Sequence, residues 1–215
     1  MADLTPMKKQ YRKIKDENPD CLLFFRLGDF YEMFEEDAKT ASKLLDLTLT
    51  TRDRNKPPEE QTPMCGVPFH AAQSYISRLL ARGYKIAICD QLDNKPQKGS
   101  TLMRRDVIRI ISPGTVTDGE LLDSGSSNYI CSVCVDGEAG AAAFCDISTG
   151  EFCAAAFSGA DSVEHLQNEL SRFGPKEAVL SEAAGESEKL RFFLECRLNC
   201  LLEPDGGRFG YADCA

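Results

Sequence analysis

Residues 21–34, CLLFFRLGDFYEMF, constrain the fold more than any other stretch of the chain. Leu22 to Phe25 form an unbroken run of large apolar side chains. Such a run leaves no side for water, so it reads as a strand covered on both faces. Gly28 and Asp29 interrupt it, and Gly28 supplies the backbone freedom that a bend needs. The chain then resumes as Phe30-Tyr31-Glu32-Met33-Phe34. In an extended backbone the side chains alternate, so Phe30 and Glu32 share one side and Tyr31 and Met33 the other. Tyr31 and Met33 would anchor the segment from behind, and the Gly28–Asp29 turn would present Phe30 and Glu32. An aromatic beside a carboxylate just past a turn is an unusual surface. The plain alternative is a packed Phe and a solvated strand Glu.

The flanking sequence supplies what such a strand needs. Thr5-Pro6 is a helix start, with Met7, Tyr11 and Ile14 at helical spacing, and Asn18-Pro19-Asp20 stops it. Its remaining surface, Lys8, Lys9, Arg12, Lys13 and Lys15, reads either as a solvated face or as one turned toward phosphate. Glu35, Glu36 and Asp37 open a second helix, where the dipole favours acidic charge, and Ala38, Ala41, Leu44 and Leu45 form its apolar stripe. Leu47 to Arg52 alternates as a strand, Asp53 to Thr62 is a loop, and Pro63 to Phe69 reads as a compact turn. His70 begins a helix closed by Gly83, Lys85 to Gln91 is a strand, Asp93 to Ser100 a polar loop, and Arg104 to Ser112 another strand. The expectation for residues 1–113 is an α/β domain, a mixed sheet with helices packed on it.

Residues 114–127 are rich in Gly, Ser and Asp and read as a linker. Beyond them the pattern changes. Tyr129–Val135, Ala139–Ile147 and Glu151–Phe157 are three strands in succession, an antiparallel meander. Asp161 with Glu164 resembles a capping box, followed by a helix, a strand over Lys176–Ser181, a helix over Glu186–Leu198 and a short strand at Asn199–Leu202. A meander followed by αβαβ is the order of a ribonuclease-H-like domain, expected over 128–215 and cut short at Ala215.

The net charge of −9 argues against nucleic acid until the chain is divided. Residues 1–115 carry 19 Lys/Arg against 16 Asp/Glu, a net +3; residues 116–215 carry 6 against 18, a net −12. The first half can approach phosphate and the second is repelled by it. No apolar run approaches the ~20 residues that span a bilayer, and MADLTPMKKQ lacks the apolar core of a secretory signal. A cytoplasmic protein is the default, and its ten cysteines read as small buried hydrophobes in a reducing compartment. Cys131 and Cys134 form a CxxC pair, but inside a strand-like run and without a matching second pair, so no metal site is expected.

Several segments in order carry a resemblance. GDFYEMF, AKTASKLLDLTLT, TPMCGVPFHA, YISRLLARGYKIAICDQ and RDVIRIISPGT, with DISTGEF in the second half, resemble the N-terminal part of the MutS family of DNA mismatch-recognition proteins. The likeness runs from about residue 5 to about 160 and more loosely beyond. It implies a mismatch-recognition domain followed by a ribonuclease-H-like connector. It also implies that Phe30 and Glu32 are the Phe-x-Glu pair that reads a mispair, Phe30 as a wedge in the base stack and Glu32 as a hydrogen-bond acceptor for the displaced base. Gly28 and Asp29 would be their supporting turn. Arg52, Arg54, His70, Arg104 and Arg105 are candidate contacts to the DNA backbone. The implied partners are duplex DNA with mismatches or small insertion/deletion loops, a MutL-type protein on the connector, and a second copy in the full-length protein.

No G-x-x-x-x-G-K-[ST] loop occurs, so neither ATP nor magnesium is expected on this chain; in the family they belong to a later domain. The chain is therefore expected to bind rather than to catalyse. Two alternatives stand beside this. Asp146, with Glu151 and Glu164, could belong to a metal-dependent nuclease of ribonuclease-H type in 128–215, although a strand-end Asp organising the Ser-Thr-Gly turn explains the same residue. The acidic half could instead be a pure protein-interaction module.

Overall fold

The structure, a computed structural model, describes residues 5–92, 103–119, 121–122, 125–204 and 209. The polar loop expected at Asp93–Ser100 lies outside them. The chain divides into two compact units, Met1–Ile111 and Ser112–Ala215.

The first unit is built on a six-stranded mixed sheet. Helix α1 (Pro6–Glu17) leads into β1 (Cys21–Leu27) and β2 (Phe30–Phe34), followed by α2 (Glu35–Leu45), β3 (Thr50–Thr51), β4 (Pro63–Pro68), α3 (Ala72–Leu80), β5 (Lys85–Gln91) and β6 (Arg105–Ile111). The strand order is β3-β4-β2-β1-β5-β6. The apolar run makes β1 central: it pairs antiparallel with β2 and parallel with β5, and Leu23, Phe24 and Phe25 are fully buried. One face carries α1, whose Tyr11 ring meets Phe25 and Phe34 edge-on at 5.4 and 4.9 Å. On the other, the thiol of Cys65 in β4 donates to the Ala38 carbonyl of α2.

Asp37, in the first turn of α2, is buried and joins three elements. It accepts from the Leu23 amide at 3.0 Å and the Tyr11 hydroxyl at 3.3 Å, and it pairs with Lys15 at 2.9 Å. The sequence alone offered only its charge at a helix start.

Two local expectations are corrected. The strand over Leu47–Arg52 shrinks to Thr50–Thr51, and the compact turn over Pro63–Phe69 is the strand β4, paired along the whole of β2. Proline is compatible with a strand at its ends, where a missing N–H interrupts least of the ladder. Pro63 and Pro68 occupy those ends. Gly66 sits opposite Glu32; a Cβ there would lie 3.3 Å from the Tyr31 carbonyl oxygen and 3.4 Å from Glu32 Cγ.

The second unit holds a five-stranded sheet in the order β11-β10-β7-β8-β9. The meander is β7 (Tyr129–Asp136), β8 (Ala139–Asp146) and β9 (Glu151–Ser158), with Gly137 at φ +55° in the first turn. Helix α4 (Ser162–Phe173) lays Leu166 and Leu170 onto Val133, Ala142 and Phe144. Strand β10 (Glu177–Leu180) then joins β7 in parallel and β11 (Leu201–Pro204) joins β10 in parallel. The capping box is not formed. Asp161 has φ −97° and ψ 8°, not the extended conformation a capping side chain uses, and it makes no cap bond. The helix expected over Glu186–Leu198 begins at Glu188, capped by the Ser187 hydroxyl, and runs from α6 (Glu188–Phe192) directly into a π-turn (Phe193–Arg197); a short helix not expected from the sequence, α5 (Glu182–Glu186), precedes it.

The first residues after β6 are packed rather than exposed. Ser112, Pro113, Gly114 and Val116 are buried. The Ser112 hydroxyl and the Gly114 amide both donate to Glu177 Oε2, the latter at 3.1 Å. A Cβ on Gly114 would stand 2.6 Å from the Glu177 Cβ, which is anchored in β10 and cannot swing away. Gly114→Ala is therefore expected to cost about 1–3 kcal/mol, as overpacking does. A denaturation midpoint for the second unit equal to the parent's would refute this.

Candidate nucleic-acid interface

The hairpin between β1 and β2 is the centre of the candidate site. Gly28 takes φ +60°, a region glycine enters without strain. The turn is tied down from both sides. The Phe69 amide donates to the Asp29 carbonyl at 2.8 Å, and the Arg26 Nε donates to the Gly28 carbonyl. The Arg26 guanidinium lies 3.7 Å from the Phe69 ring centroid and 5.5 Å from that of Tyr31, a cation–π stack beneath the tip. Asp90 steadies it, accepting from the Tyr31 hydroxyl at 3.3 Å and facing Arg26 Nη1 at 3.9 Å.

On this platform Phe30 is 46 % exposed, while Tyr31 and Met33 behind it are buried. The alternation expected for β2 is present: Glu32 follows Phe30 on the same side. Its exposure is not what the sequence implied. Glu32 is only 8 % exposed, because Arg52 covers it with Nη2 at 2.7 Å from Glu32 Oε1. Burial raises the Glu32 pKa above the usual carboxylate value, and the charge and hydrogen bond of Arg52 offset part of that rise. Glu32 Oε2 is buried and has no hydrogen-bond partner among the described residues.

The candidate backbone contacts divide. Arg54, His70 and Arg104 are exposed. Arg52 is half-exposed and bound to Glu32. Arg105 must be corrected: it is buried, donating to the Arg26 carbonyl at 2.7 Å, Gln10 Oε1 at 3.1 Å and the Met103 carbonyl at 3.2 Å, with its guanidinium 5.1 Å from the Phe25 ring. Burial lowers its pKa. It is a core brace, and its neighbour Arg104 is the one turned outward. On α1, carboxylates hold Lys8 (Asp53), Arg12 (Glu35) and Lys15 (Asp37), so much of the basic helix surface is already neutralised.

Sequence reasoning passed over Arg26, Gly66 and Phe69. Phe69 is 47 % exposed, a second aromatic at the same end of the sheet. Its place becomes visible only once Pro63–Pro68 is recognised as a strand, since that register sets Pro68 against Phe30.

In the second unit, Asp146 is 1 % exposed and fully engaged. Oδ1 accepts from the Ser148 amide and hydroxyl at 2.9 and 2.6 Å, and Oδ2 from the Asn128 amide at 2.9 Å. These bonds hold its pKa low, that from the Ser148 hydroxyl most of all. Glu151 accepts from the Tyr129 hydroxyl at 2.6 Å. Asp146 therefore organises the Ser148-Thr149-Gly150 turn, and among the described residues no His, Cys, Asp and Glu group is arranged to hold a metal ion. Cys131 is buried in the core and Cys134 faces the other side of β7, as a spacing of three in a strand dictates.

Comparison with known proteins gives a consistent result. The family profile for MutS domain I matches residues 5–120, and that for MutS domain II matches residues 128–207. Curated relatives named DNA mismatch repair protein MutS include one from Staphylococcus saprophyticus, 48 % identical over 194 residues, covering 90 % of this chain and 21 % of that protein. One from Clostridium botulinum is 51 % identical over 184 residues (86 % and 19 %), and one from Acetivibrio thermocellus 45 % over 199 residues (93 % and 22 %). The chain thus spans about a fifth of the length of these relatives.

Proposed function

The chain belongs to the MutS family, and from that premise we propose that its first unit recognises mispaired bases in duplex DNA during mismatch repair, while its second connects that unit to the rest of a longer protein. The observation that carries this reading is the half-exposed Phe30 on a turn fixed by the Phe69 amide and the Arg26 stack. A large apolar ring held out from a rigid tip loses little further freedom on entering a base stack. Unstacking a step costs a few kcal/mol, and less where pairing is already defective. Phe30 is the wedge, Glu32 the acceptor for the displaced base, and Arg54, His70 and Arg104 hold the phosphates.

In the same proposal the chain is a cytoplasmic binding module with no catalytic step of its own. The acidic second unit stays off DNA and offers a surface to a MutL-type partner, and two copies pair in the longer protein. Among the described residues no helix is long and apolar enough to cross a membrane. The occupied oxygens of Asp146 weigh against the nuclease alternative.

The test is a competition between a short duplex with one mispair or one unpaired nucleotide and its fully paired counterpart, read by fluorescence anisotropy at low salt. Binding is expected to be weak, with the defective duplex preferred. Equal affinities would overturn the proposal, and magnesium- or manganese-dependent cleavage lost in Asp146→Asn would replace it with the nuclease.

A further inference from the structure

The proposed role of Glu32 meets an obstacle in the free structure. A base can be read by this carboxylate only if it can reach it, yet Glu32 is 8 % exposed and Oε2 is buried with no hydrogen-bond partner among the described residues. Two of its neighbours cannot yield. Gly66 is its cross-strand partner in the middle of the β2–β4 ladder, and its backbone lies against Glu32. Phe25, its partner in β1, is fully buried. Arg52 differs. Its side chain is 45 % exposed and approaches from the loop that follows β3. The backbone of that loop is anchored next door: the Asp53 amide donates to Thr51 Oγ1, and the Asp53 carboxylate is held by Lys8 and the Thr62 amide. The loop stays, and the Arg52 side chain can swing.

Building on the proposed function, we infer that Arg52 is a latch: it covers Glu32 in the free protein and leaves it for a DNA phosphate when duplex is engaged, so that Glu32 becomes available only where the backbone is already held. Guanidinium suits both partners, since its planar fork matches carboxylate and phosphate alike. The exchange replaces one ion pair by another, and the freed carboxylate is then left desolvated and acceptor-only. Such a group favours bases that present an N–H and disfavours those that present only acceptors. Arg52 thereby acts as a positioning residue, coupling phosphate contact to base readout.

The test follows the side chains by nuclear magnetic resonance on this chain, where weak binding is readable. In the free protein, Arg52→Gln is expected to raise the midpoint of the Glu32 carboxyl titration, because both stabilising contributions of Arg52 are lost. An unchanged midpoint overturns the latch. On saturation with a mispaired duplex, the Arg52 Nε and Glu32 Cδ resonances are expected to move together. Arg52→Gln is expected to reduce the slope of log affinity against log salt by about one, the value for a lost phosphate contact, while keeping the preference for the mispair. If the chain discriminates mispaired from paired duplex with Arg52 still on Glu32, the latch is overturned and the proposed function stands. If it does not discriminate at all, both fall.

Discussion

Phe30→Ala is expected to bring the affinities for mispaired and paired duplex together. A preference of tenfold corresponds to about 1.4 kcal/mol, and the wedge is the element proposed to generate it. That part is proposed for Phe30 because its ring is exposed while Tyr31 and Met33 behind it are buried. Removing it leaves the platform in place, so the stability of the chain should change by no more than ~0.5 kcal/mol, as at other surface positions. Loss of discrimination with an unchanged melt is the result that separates reading from folding. A substituted chain that still ranks the two duplexes as the parent does would remove Phe30 from the mechanism.

The second large effect is on stability. Asp37→Ala is expected to cost about 3 kcal/mol, measured by chemical denaturation of the first unit. Hydrogen bonds to a charged group contribute about 1.5–3 kcal/mol, and breaking a buried pair by deleting one partner strands the other. Here the loss would leave the Leu23 amide, inside the sheet, without its acceptor and the Lys15 ammonium without its counter-charge. Asp37→Asn should cost less, because an amide oxygen can still accept from Leu23. A cost below ~1 kcal/mol for the alanine would show that α1, β1 and α2 do not depend on this residue.

The sequence revealed most about the elements whose cause is local. The apolar run fixed β1, the Gly28–Asp29 break fixed the hairpin, and alternation placed Phe30 and Glu32 on one side with Tyr31 and Met33 opposite. The meander was readable from Asp136-Gly137 and the turn at Ser148-Thr149-Gly150. What stayed hidden depends on partners distant in the chain. β4 carries a proline at each end and a glycine in the middle, so its composition reads as a turn and only pairing with β2 makes it a strand. The burial of Glu32 needs Arg52, twenty residues away. Arg104 and Arg105 are indistinguishable by type; the phase of β6 against β5 turns one outward and the other into the core. Asp37 was visible as a helix-start charge, but its three partners lie on two other elements.

The order of strands also sets a schedule. β2 acquires its first neighbour, β1, across a two-residue turn, as soon as Phe34 has been made. Its second neighbour and the amide that ties the turn arrive with Phe69, a few seconds later at ~5–20 residues per second of synthesis. During that interval the nascent chain carries an exposed aromatic tip whose turn has the Arg26 bond to Gly28 but not yet the one from Phe69. The tip proposed to read DNA is thus among the first parts of the unit to be shaped and among the later ones to be fastened.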